Sequence, residues 1–89
     1  MHHYATADFW KAYQALPTVI RLRAEKQFSL LKTNPQHPSL QLKKVGDRFN
    51  NEVWSARVTL SYRALALKRP DGYLWFWIGD HEGYDTILA

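Results

Sequence analysis

Apolar residues recur along this chain with two different periods, and the change between them divides it into a helical half and a strand half. From Thr6 to Ala15, Phe9, Ala12 and Tyr13 fall on one face behind the cap-like residues Thr6 and Asp8, which predicts a short helix. Leu16-Pro17 stops it, and Pro17 suits the first turn of a second helix running to about Thr33. In that helix Ile20, Ala24, Phe28 and Leu31 form the stripe expected to be buried, while Arg21, Arg23, Lys26 and Lys32 look outward. Asn34-Pro35 ends it, because the residue before a proline is pushed out of helical geometry. Pro35 to Ser39 then reads as an extended connector.

The second half changes period. Leu40 to Val45 is a predicted strand closed by Gly46-Asp47. In the strand from Glu52 to Leu60, Trp54, Ala56, Val58 and Leu60 alternate with Ser55, Arg57 and Thr59. Tyr62 to Leu67 is apolar apart from Arg63, as a central strand would be. Pro70-Asp71-Gly72 signals a turn, and Tyr73 to Ile78 is the last strand. Asp80 to Ala89 reads as a polar turn and a short apolar tail. The expected fold is α+β: an N-terminal helical hairpin on one face of a four-stranded antiparallel sheet, with the other face free for a ligand. Residues 2–5 can add a fifth, short strand.

Composition narrows the function classes. A chain of 89 residues supports one domain, and 46% hydrophobic residues, with four Trp, five Tyr and four Phe, supply a core and argue against disorder. The absence of cysteine excludes disulfide frameworks, thiol nucleophiles and cysteine zinc knuckles. Residues 1–8 show neither the basic nor the apolar region of a signal peptide. The longest apolar run, Tyr73 to Ile78, is far short of the roughly 20 residues a membrane helix needs. The expectation is a cytoplasmic protein with no membrane partner. Charge is uneven: residues 1–50 carry eight Lys/Arg against three Asp/Glu (+5), and residues 51–89 carry four against five (−1). A basic half suits an anionic partner, nucleic acid or an acidic protein, as well as a solubilising surface.

The run Trp54-Ser-Ala-Arg57-Val, then Tyr62-Arg63-Ala-Leu, then Trp75-Phe-Trp-Ile-Gly79-Asp80-His81 with Tyr84 three residues on, resembles the RelE/ParE toxin superfamily. Upstream, Phe9 to Pro17 resembles the first helix and Leu-Pro joint of that family, and Asn34-Pro35, His37-Pro-Ser-Leu40 and Leu42-Lys43-Lys44 its entry into the sheet. The resemblance covers nearly the whole chain, and the order and spacing of its short motifs carry it. It implies the toxin of a bacterial type II toxin–antitoxin pair, with a cognate antitoxin as partner. RelE-like members are ribosome-dependent endoribonucleases that cut mRNA; ParE-like members poison DNA gyrase; similar domains occur with neither activity.

RNA cleavage through its own 2′-hydroxyl needs a base, an acid and cations, but no metal or other cofactor. By resemblance Arg57 matches the arginine that RelE-like enzymes place on the open sheet face, and strand alternation independently puts it opposite the Trp54/Ala56/Val58 face, where its fork suits a phosphate. A surface arginine paired to Glu52 or Asp85 is the alternative. Arg63 belongs to the Tyr-Arg pair typical of the family, and inside an apolar strand it must find partners, structural or catalytic. His81, just beyond the last strand, can serve as base or acid, and its position is one where family members carry Arg or His. Tyr84 matches a C-terminal tyrosine used in catalysis or base stacking, or it packs beneath the tail. Lys43 and Lys44 are candidate RNA contacts, but neighbouring strand residues point to opposite faces, so only one can reach the groove. His37, His81, Asp80 and Asp85 match no metal-site spacing, and the Trp75/Phe76/Trp77 run reads as core before it reads as a base-stacking platform. Neither the full basic cluster nor the full Glu/His/Arg set of the active nucleases is present, and Asp80, Glu82 and Asp85 make the surroundings of His81 acidic. A non-catalytic binding protein therefore stands beside the nuclease and the gyrase poison.

Overall fold

A computed structural model describes residues 1–88. β1 (His2–Ala5) leads into α1 (Ala7–Gln14), whose start is set by the Thr6 hydroxyl accepting the Phe9 amide at 3.1 Å. Pro17 precedes α2 (Thr18–Thr33) at its N-cap. A 3₁₀ turn at Pro38–Leu40 follows, and then β2 (Lys43–Arg48), β3 (Asn51–Arg57), β4 (Tyr62–Arg69), β5 (Gly72–Asp80) and α3 (His81–Leu88). The strands lie in the order β1-β5-β4-β3-β2. The four expected strands form an antiparallel meander, and β1 joins as a fifth, parallel to β5 at the open edge. Gly72 permits that junction: a Cβ there would overlap the backbone carbonyl of His2.

Strand alternation splits the apolar side chains between two clusters. On the helix face, Ala56, Val58, Ala64, Ala66, Trp75 and Ile78 meet Leu16, Leu31 and Leu40. On the other face, Val53, Leu65 and Leu67 meet Leu74, Phe76 and Trp77. The register passes from Leu65↔Trp77 to Ala66↔Trp75, which leaves Phe76 as an extra residue, so Phe76 and Trp77 both belong to the second cluster.

Several local expectations are corrected. The segment after Asp80 is the helix α3, not a turn and tail; its Tyr84 and Ile87 pack on the second cluster, so the face opposite the hairpin is only partly free. Ala89, the end of that expected tail, lies outside the described residues. The first strand of the meander begins at Lys43 rather than Leu40, because the 3₁₀ turn and the left-handed Gln41 intervene. Gly46-Asp47 lies within β2 beside a register irregularity, and the reversal falls at Phe49-Asn50, both at positive φ. Leu60 is 78% exposed in the β3–β4 turn instead of facing inward. On α2, Phe28 is 42% exposed while Gln27 is buried. No helix among the described residues is long and apolar enough to cross a membrane.

Candidate functional site

Arg57 ends β3 and Arg63 is the second residue of β4, and the antiparallel register sets them directly opposite each other. Opposed residues in such a pair point to the same face with Cα atoms about 5 Å apart. Both lie on the face of Val53, Ser55 and Leu65, away from the helical hairpin. Gly79 of β5 is the next position across the sheet from Arg63, and α3 starts two residues later. The end of the sheet therefore brings Arg57, Arg63, His81 and Tyr84 to one side.

The two guanidinium groups are held differently. Arg63 folds back on the β3–β4 turn, its Nη1 donating to the carbonyls of Thr59 (2.6 Å), Tyr62 (3.0 Å) and Leu60 (3.3 Å). Burial, and then the charge of Arg57, hold Arg63 below the ordinary arginine range, with Tyr84 acting in the opposite direction. Arg57 donates from Nη2 to Gln41 Oε1 at 3.0 Å, and its occluded Nε–H has no partner. Its backbone carbonyl accepts from Gln27 Nε2 at 3.0 Å, and the same amide reaches the Ser39 carbonyl at 3.3 Å. The carboxylates that could have paired with Arg57 are engaged elsewhere. Glu52 accepts from Trp54 Nε1 (2.9 Å) and pairs with Lys44 (3.7 Å), while Asp85 lies 3.7 Å from His81 Nε2. Among the described residues no carboxylate lies within ion-pair distance of either arginine.

The β5–α3 junction presents His81. Asp80 Oδ1 accepts the Gly83 amide at 2.9 Å, the capping bond that starts the helix, so one of the acids near His81 has a structural task. The His81 ring stacks on Tyr84 with centroids 5.8 Å apart, and Tyr84 in turn tilts against Trp77 at 6.5 Å. Trp77 lies so close to the backbone that a Cβ at Gly79 would fall 2.6 Å from its ring, and one at Gly83 2.9 Å. His81 is exposed and has a carboxylate one turn away, the arrangement that orients an imidazole. Lys43 lies opposite Ser55, on the face of Arg57; Lys44 lies opposite Trp54 and is neutralised by Asp47 (3.3 Å) and Glu52. The possible metal ligands separate: His37 caps the 3₁₀ turn through the Ser39 amide, Asp80 caps α3, and among the described residues no three His, Asp or Glu side chains converge.

Gln41 and Gln27 were not legible as site residues, since glutamine carries no charge signal and neither belongs to a motif. A concavity of about 390 Å³ lies on the helix face, lined chiefly by aromatic and aliphatic residues such as Phe9, Trp10, Tyr13, Phe28 and Trp75, with Glu25 and Arg57 also in its lining.

A model of the ParE-like toxin domain matches residues 18–86. The fold is similar to that of a chain of the RelB–RelE antitoxin–toxin complex from Methanococcus jannaschii (TM-score 0.72, 16% identity, covering 97% of this chain and 99% of that one). It is also similar to YafQ from E. coli strain BL21(DE3) (TM-score 0.73, 10% identity, 93% and 96%). A third similar structure is a chain of the archaeal RelE–RelB complex from Pyrococcus horikoshii OT3 (TM-score 0.68, 16% identity, 89% and 92%). No curated protein matches the sequence.

Proposed function

The chain belongs to the ParE-like toxin family of the RelE/ParE superfamily, and on that footing we propose that it is the toxin of a type II toxin–antitoxin pair that cuts ribosome-bound mRNA without a metal. The observation that carries this reading is the Arg57–Arg63 pair: two arginines hold opposed positions on adjacent strands, at the sheet end from which exposed His81 follows, and among the described residues no carboxylate lies within ion-pair distance of either. Like charges directly opposite on a sheet oppose folding. A phosphate between them would turn that repulsion into attraction.

In the proposed reaction the 2′-hydroxyl oxygen attacks the adjacent phosphorus, the 5′-oxygen leaves, and a 2′,3′-cyclic phosphate remains. Arg57 holds the scissile phosphate and the charge that builds on it. His81, oriented by Asp85, moves a proton to or from one of the two oxygens, and Tyr84 offers its ring to a base. Arg63, with Nη1 bound to three carbonyls, contributes charge more than contact. Lys43 guides the RNA backbone along the same face.

The partner is an antitoxin. Two of the similar structures are complexes of RelE with RelB, and the concavity on the helix face suits an amphipathic acidic segment. Its mouth is flanked by exposed Trp10 and Phe28, and the hairpin that forms it carries Arg21, Arg23, Lys26 and Lys32. A gyrase poison is the second reading, favoured by the ParE-like character of the matching model. Induction of the protein alone in the bacterial cytoplasm tests both: mRNA cut within translated codons with normal plasmid supercoiling supports the nuclease, and DNA breaks with intact mRNA reverse the ranking. On programmed ribosomes Arg57→Ala is expected to slow cleavage about 10²-fold. His81→Gln is expected to flatten the rate profile between about pH 5 and 8.

A further inference from the structure

Gln41 occupies a backbone conformation that a glutamine ordinarily avoids. It follows the 3₁₀ turn at φ 43° and ψ 44°, in the left-handed region where glycine is the favoured residue after a helical turn. Its side chain is the only partner of the Arg57 guanidinium among the described residues. A guanidinium can only donate, so the amide oxygen of Gln41 must be the atom that faces it. The turn that carries Gln41 is itself anchored. Buried Gln27, 5% exposed, donates from one amide nitrogen to the carbonyl of Ser39 and to that of Arg57, tying α2, the turn and the end of β3 into one unit. His37 fixes the same turn by accepting the Ser39 amide at 3.1 Å.

We propose that Gln41 is a positioning residue that clamps Arg57 in its anion-facing pose with a neutral acceptor, and that the left-handed backbone is retained for this purpose. The proposal rests on the nuclease reading for what the pose is used for, but not for the clamp itself. Three physical points support it. Glycine would relax the backbone, yet would leave Arg57 unheld. Glutamate would hold Arg57, yet would cancel the charge a phosphate needs. Glutamine alone among these holds the fork and leaves it cationic.

These alternatives are the test, made in the full chain. The readouts are thermal unfolding, the Hε–Nε resonance of Arg57 (assigned by its loss in Arg57→Lys), its titration with inorganic phosphate, and single-turnover cleavage on programmed ribosomes. Gln41→Gly is expected to melt at or above the wild-type temperature, while the Arg57 resonance moves to the free-arginine position and cleavage falls at least 10-fold. Gln41→Glu is expected to keep the resonance displaced yet weaken phosphate binding about 10-fold. A residue with only a structural role would lower the melting temperature of the glycine variant and leave the resonance in place. An unmoved Arg57 resonance in Gln41→Gly overturns the proposal, as does unchanged phosphate affinity once the resonance has moved. Wild-type protein inert on ribosomes sinks the nuclease reading alone, and the clamp is then decided by the resonance and the phosphate titration.

Discussion

Replacing Arg57 with methionine should stabilise the protein while removing the proposed phosphate contact. Methionine keeps the unbranched stem of the side chain as far as about the position of Nε but removes the charge and all its donors. Two unfavourable contributions disappear. The occluded Nε–H of Arg57 has no partner, and an orphaned buried donor costs about 1 kcal/mol or more. Repulsion from Arg63, directly opposite, adds about 0.2–1 kcal/mol, taken at the low end because both side chains are partly solvated. Against this stands the hydrogen bond to exposed Gln41, about 0.5 kcal/mol net, since its amide turns to water instead. The balance is a gain of about 1 kcal/mol, or roughly 4–8 °C in melting temperature for a domain of this size. Circular dichroism melts of wild type and Arg57→Met measure it, at low salt and at high salt. Wild type should gain more from added salt, because screening relieves only its repulsion. A variant that melts at or below the wild-type temperature would refute the reasoning, for Arg57 would then be a net contributor to the fold rather than a cation kept at the fold's expense.

Other expectations follow from single contacts. Trp75 Nε1 donates to His3 Nδ1 at 3.1 Å, and burial, with the N-terminal amine and Lys32 adding to it, holds the His3 imidazole below its ordinary value. The unfolded chain therefore takes up that proton first, so stability should be full above about pH 6.5 and fall below it, and urea melts at pH 5 and 7 should differ less in His3→Gln. Gly72→Ala should detach β1, seen as rapid amide exchange at Tyr4 with the β3–β4 amides still protected, because its Cβ meets the His2 carbonyl. Leu65→Ala, at a fully buried position in the second cluster, should cost about 2–5 kcal/mol in denaturant melts. Asp80→Ala should cost about 1 kcal/mol and loosen α3, shifting the Tyr84 ring resonances, because the cap on Gly83 is lost.

The two-period pattern was enough to read the helical hairpin and the four-stranded meander, since 3.6-residue and two-residue spacing follow from backbone geometry and need no distant partner. Alternation in β3 likewise sufficed to put Arg57 on the face away from the helices. What depended on distant segments was not legible. The parallel pairing of β1 brings His2 to Gly72 across 70 positions, and α3 was hidden because the segment from Asp80 reads as a polar turn and tail, while Gly79 and Gly83 prove to be clearance for the Trp77 ring. The direct opposition of Arg57 and Arg63 and the clamp by Gln41 likewise exist only after register is chosen. Register is settled by which cross-strand side chains pack, a property of pairs far apart in the chain that no single stretch of sequence encodes.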